Sequence, residues 1–128
     1  AAGAPRPAGA IGLAGSYDLS LRNPLLSVFA PLTGAGASHP IAFADRPGPP
    51  LLLLHGALDA VVFPIQSERL AARRRAAGHD IRLAVHPALG HFTLLGGLSP
   101  GRAGTSPVME DIARFVASLA GAAPSLGT

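Results

Sequence analysis

The 128-residue sequence has no cysteine, no tryptophan, no lysine and a single tyrosine, and only 13% of its residues are charged. Without cysteine there is no disulfide scaffold and no thiol chemistry, and a zinc site would need histidines and carboxylates alone. None of the histidine spacings suits such a site, so no metal is expected. So little charge excludes a disordered solvating segment, which needs high net charge and few apolar groups. With lysine absent, arginine sets the basic end of the titration, and the pI near 11.1 at a net charge of +3 carries no message about partners. The one arginine cluster, Arg73, Arg74 and Arg75, reads as the solvated face of a helix rather than a nucleic-acid patch. No apolar run approaches the roughly 20 residues of a membrane span. Residues 1–7 also lack an initiator Met and the charged-then-apolar layout of a signal peptide. The true N-terminus is therefore expected upstream, and localisation is not legible beyond a default cytoplasmic expectation.

What the chain does have is 48% apolar residues, enough to bury the core of one domain, with 16 Gly and 13 Pro to punctuate many loops. Residues 9–15 form a short apolar run bounded by Pro and Gly, which suits a buried strand. A short helix is expected near Pro24, and residues 33–50, rich in Gly, Pro, Ala and Ser, read as a loop. Leu51 to His55 is the clearest strand, isolated from any helix by Pro49 and Pro50 and ended by Gly56. Pro64 and Gly78 bracket a helix, and Ile81, Leu83 and Val85 then alternate with Arg82 and Ala84 as a strand. The last helix starts at Ser106 and Pro107, with Val108, Ile112, Phe115, Val116 and Leu119 on one face. Strands alternating with helices give an α/β fold, a mainly parallel sheet flanked by helices on both faces.

In such a sheet, chemistry gathers in the loops beyond the carboxyl ends of the strands. Two of those loops carry ionisable groups. Gly56-Ala57-Leu58-Asp59 follows one strand and His86-Pro87-Ala88-Leu89-Gly90-His91 follows the next. A carboxylate there can accept the Nδ1 proton of an imidazole, fixing the tautomer that turns Nε2 toward a nucleophile.

Leu13-Ala14-Gly15-Ser16-Tyr17-Asp18-Leu19, the Pro49 to Gly56 segment, Leu58-Asp59-Ala60-Val61-Val62-Phe63-Pro64 with Gln66-Ser67, and Gly90-His91-Phe92 together resemble the α/β-hydrolases. The resemblance is to the esterase/lipase branch near kynurenine-formamidase-like and carbohydrate-esterase-like enzymes, and prolyl-oligopeptidase-type peptidases share much of it. It implies that residues 1–128 are the C-terminal part of one α/β-hydrolase domain, with Asp59 the triad acid and His91 the triad base. It also implies an acyl-enzyme chemistry without cofactor, on a small-molecule ester or amide. The family places its nucleophile in a G-x-S-x-G elbow ahead of the acid and base. No such pentapeptide is expected anywhere in the chain. Ser16 is the nearest imitation, but its flanks lack the second Gly.

The plainer readings of these residues also have physical content. Asp59 fits an Asx turn ahead of the Pro64 helix, and His91 a surface loop. His55, ending a buried strand, reads as structural, bonding the turn that presents Asp59. His39, His79 and His86 read as loop or turn histidines, Tyr17 and Asp18 as ending a strand, and Gln66 and Ser67 as capping or surface residues. Three functions stay open: a serine hydrolase of esters or aryl formamides, a prolyl-oligopeptidase-type serine peptidase, and a non-catalytic fragment or degenerate homologue. Oligomeric state is open as well.

Overall fold

Two prolines in succession deliver the chain in extended form to Leu51–Gly56, the central strand β2 of a three-stranded parallel sheet. The computed structural model describes residues 3–18, 39–102 and 104–122; the helix expected near Pro24 and the first part of the loop after it lie outside these residues. Strand β1 (Ala10–Leu13) pairs on one side of β2 and β3 (Ile81–His86) on the other, with Leu13 opposite Leu54 and Gly56 opposite His86. β1 is shorter than its apolar run. After the Ala14 amide bonds the Leu54 carbonyl, Ala14 itself turns to φ 47°, a conformation costing an alanine roughly 1 kcal/mol, and the chain leaves the ladder. The loop before β2 contains one turn of 3-10 helix, Pro40–Phe43, whose Ile41 enters the core.

Alternate residues of β2 point to opposite faces, and each face has its own cluster. Leu53 packs with Ile81, Ile41, Ala44 and with Leu70 and Ala71 of helix α1 (Ile65–Ala76). Leu52 and Leu54 pack on the other face with Leu94 of the short helix α2 (His91–Gly96) and with Val108 and Phe115 of α3 (Pro107–Ala122). Leu53 and Leu54 are wholly buried, each contributing roughly 1.5–3 kcal/mol.

Helix α1 starts directly after Pro64 and is closed by Gly78 at φ 78°, whose amide bonds the Arg75 carbonyl. Its arginine triplet is not a uniformly solvated face. Arg74 is 7% exposed, and its guanidinium donates to the carbonyls of Ala44, Arg46 and Pro49, tying the loop before β2 to the helix. Three carbonyls converging on one helix position draw this arginine inward while Arg73 and Arg75 stay out. Helix α3 has Ser106 ahead of it, with the Oγ accepting from the Met109 amide at 3.4 Å. Val116 departs from the expected stripe and is 52% exposed. At 3.6 residues per turn it falls about 70° from the centre of the face made by Val108, Ile112, Phe115 and Leu119.

Tyr17, the one tyrosine, lies against Gly12 and Gly15 with its hydroxyl enclosed. Burial pushes its phenol above the ordinary value, only partly opposed by the nearby Gly15 backbone and Ser67 hydroxyl. The neutral phenol is the form the fold favours. Its contribution to stability is complete below the ordinary phenol value of about 10 and is lost as pH rises from there through the folded-state value. Ultraviolet titration of phenolate is therefore expected to show ionisation later than in free tyrosine and accompanied by unfolding; ionisation at the free value with the fold intact would contradict the burial.

Candidate active site

The site grows out of two crossings between the loops that follow β2 and β3. The Ala57 amide donates to the His86 carbonyl at 2.9 Å and the Leu58 amide to the Leu89 carbonyl at 3.0 Å, so the loops run as one seam at the carboxyl edge of the sheet. Gly56 makes that approach possible, because a Cβ there would stand 2.6 Å from the Leu89 carbonyl carbon and overlap its oxygen. Asp59 closes the turn, its amide bonding the Gly56 carbonyl.

The Asp59 side chain is removed from solvent, and each of its oxygens has a task. Oδ1 accepts from the amides of Val61 at 2.9 Å and Val62 at 2.8 Å, an Asx-type turn. Oδ2 accepts from His91 Nδ1 at 2.9 Å. One oxygen of the carboxylate thus closes the Asx turn while the other holds His91. His91 is the first residue of α2, a helix that the sequence pattern does not announce. The loop is held there by the Gly90 amide, which donates to Thr93 Oγ1 at 2.7 Å across the first turn. With Nδ1 engaged, the ring keeps its hydrogen on that atom and has Nε2 free as a base. Among the described residues nothing hydrogen-bonds Nε2, and the side chain is 18% exposed. Phe92 meets the imidazole edge to face at 5.3 Å between centroids.

Behind the carboxylate lies His55, wholly buried. Its Nε2 is 2.7 Å from the Val62 carbonyl and 3.3 Å from Asp59 Oδ2, and its Nδ1 is 2.7 Å from Ser67 Oγ. Gln66 and Ser67 are buried rather than on the surface. The Gln66 amide accepts from the backbone of Tyr17 and Asp18 and donates to the Asp18 carbonyl, anchoring the loop after β1 to α1. A signal for these contacts exists in the sequence: a histidine inside a strand buried on both faces needs polar partners, and the first turn of the following helix supplies them. His86 also has a partner, Asp111 of α3, at 2.8 Å. His39 lies 3.9 Å from Asp18, and His79 donates to the Asp45 carbonyl.

Among the described residues no serine stands out as a nucleophile. Ser16 sits in the loop after β1. Contrary to the expectation that the chain holds no such pentapeptide, Gly97-Leu98-Ser99-Pro100-Gly101 spells G-x-S-x-G, after both Asp59 and His91. Its surroundings are wrong for an elbow: no strand leads into it, and Ser99 Oγ donates to the Gly96 carbonyl at 2.7 Å in an exposed turn. The next residue, Pro100, has no amide to offer an oxyanion. Among the described residues no group of three or more His, Cys, Asp or Glu side chains is placed to hold a metal ion, and no helix is long and apolar enough to cross a membrane.

Residues 32–122, well over half of the chain and including both Asp59 and His91, match the prolyl oligopeptidase family. The chain belongs to that family. A truncated carbohydrate esterase from gut microbiota superposes with a TM-score of 0.69 at 22% identity, over 87% of this chain and 42% of the esterase. A hormone-sensitive lipase from a metagenome library gives the same TM-score and identity over 91% of this chain and 45% of the lipase. The acylaminoacyl peptidase of Pyrococcus horikoshii gives 0.62 at 21% identity, over 80% of this chain and 19% of the peptidase. Among curated protein sequences, none matches. At these identities the superpositions establish the fold: this prolyl oligopeptidase family chain has part of an α/β-hydrolase fold and spans less than half the length of the esterase and the lipase it resembles.

Proposed function

We propose that Asp59 and His91 are the acid and base of a Ser-His-Asp triad, and that residues 1–128 are the C-terminal part of a hydrolase domain whose serine and oxyanion hole lie outside them. The single observation carrying this reading is the 2.9 Å bond between Asp59 Oδ2 and His91 Nδ1, made between loops that leave adjacent parallel strands. The substrate class is a small carboxylic ester or aryl formamide. The serine Oγ adds to the carbonyl carbon while its proton passes to His91 Nε2; the tetrahedral oxyanion collapses, and the departing alcohol or amine takes that proton. Water then repeats the sequence, adding to the acyl carbon, giving a proton to Nε2 and releasing the acid as Oγ recovers it. Asp59 orients the ring throughout and stabilises the imidazolium. The family match favours a second reading in which the bond cleaved is a peptide amide. Comparing kcat/KM for an ester and a peptide with the same acyl group separates the two.

The test is labelling with a fluorophosphonate, which reports an activated serine. The 128-residue chain alone is expected to stay unlabelled, and a polypeptide extended upstream through a G-x-S-x-G segment to be labelled on that serine. Stoichiometric labelling of Ser16 or Ser99 in the short chain, mapped by peptide mass, would overturn the assignment.

A further inference from the structure

Two histidines, not one, face the same carboxylate oxygen, and their surroundings demand opposite tautomers. His91 reaches Asp59 Oδ2 through Nδ1. His55 approaches it through Nε2, at 3.3 Å, and that same nitrogen is 2.7 Å from the Val62 carbonyl, which can only accept. Nε2 of His55 must therefore carry hydrogen and share it between Val62 and Asp59. Its Nδ1 is then the acceptor, and the Ser67 hydroxyl, 2.7 Å away and wholly buried, is the donor. Two links run from His55 to the acid, one direct and one through the Val62 peptide, whose amide bonds Asp59 Oδ1.

We propose that His55, held by Ser67, is a positioning residue for the Asp59–His91 pair. It clamps both ends of the Asx turn so that Oδ2 points at His91 Nδ1. Resting on the triad reading of Asp59 and His91, the inference names what keeps that acid aimed. Without His55, Oδ2 would lose its second donor and the Val62 carbonyl its partner. Buried acceptors left so would relax toward other donors, and the carboxylate would rotate away from the imidazole.

The 128-residue chain is sufficient for the test, because nitrogen-15 and proton spectra of the imidazoles read the bonds without any turnover. In the wild type, His55 is expected as the Nε2–H tautomer and His91 as the Nδ1–H tautomer, with a downfield, slowly exchanging Nδ1 proton on His91. His55→Phe keeps the ring volume and removes both nitrogens; exchange of the His91 Nδ1 proton is expected to quicken by about tenfold or more, or its signal to vanish. His55→Gln returns an N–H near the Nε2 position and is expected to restore the signal. Ser67→Ala should shift His55 Nδ1 toward the value of an unbonded acceptor. An unchanged His91 proton in a folded His55→Phe chain overturns the proposal. So does a wild-type His55 protonated on Nδ1 alone, a measurement that holds even where the phenylalanine variant fails to fold. Fluorophosphonate labelling decides the triad reading separately, so the two can fail independently.

Discussion

Replacing His91 by alanine in the polypeptide that carries the nucleophile is expected to lower kcat by about a millionfold, and Asp59→Asn by about ten-thousandfold, both with little change in KM. The asparagine result follows from how the carboxylate is held. Oδ1 faces only donors, the Val61 and Val62 amides, so the carbonyl oxygen of an asparagine must take that position and its NH2 group must occupy the place of Oδ2. That NH2 would donate to His91 Nδ1, forcing hydrogen onto Nε2. A ring so protonated cannot accept a proton from serine. It would also set an N–H against the His55 Nε2–H, which costs stability as well as rate. The measurement is steady-state turnover with a chromogenic ester, beside imidazole nitrogen spectra of the same variant. Full activity with the His91 tautomer unchanged would remove Asp59 from the mechanism.

Gly56→Ala is expected to destabilise the chain by about 3 kcal/mol, at the upper end of overpacking effects, and to separate Asp59 from His91. The added Cβ would overlap the Leu89 carbonyl oxygen, stand 2.6 Å from the carbonyl carbon and lie 3.1 Å from the Gly90 oxygen. These are backbone atoms of the loop that delivers His91, so no side chain can swing aside. Relief has to come from moving that loop, and the Leu58 to Leu89 bond of the seam is the first to stretch. Denaturant unfolding should show a lower midpoint, and the His91 Nδ1 proton should weaken before the sheet melts. Ala57, one residue on, is exposed; its replacement by serine should change stability by less than about 0.5 kcal/mol. A Gly56→Ala chain as stable as the parent would show that the seam is looser than its geometry.

The strands, the long helices and the two loops that carry Asp59 and His91 were legible in the chain itself, because each rests on local chemistry. Pro49 and Pro50 forbid a helix before Leu51, Gly78 accepts a positive φ that other residues resist, and Ser106 with Pro107 satisfies a helix start whatever lies around it. Parallel pairing of neighbouring strands then brings both loops to one edge. The sequence therefore determined the α/β layering and singled out Asp59 and His91 as a pair. Tertiary structure alone decided how they are held. Arg74 turned inward because three carbonyls from a loop 25 to 30 residues earlier converge on it. Gln66 and Ser67 became interior residues because the loop after β1 and the histidine of β2 needed hydrogen-bond partners. Val116 was left exposed because the α3 stripe is filled without it, and His86 found Asp111 across a layer. Each of these depends on which distant backbone group or side chain lacks a partner. A pattern along the chain carries the period of its elements, whereas hydrogen-bond satisfaction is settled only when the elements meet.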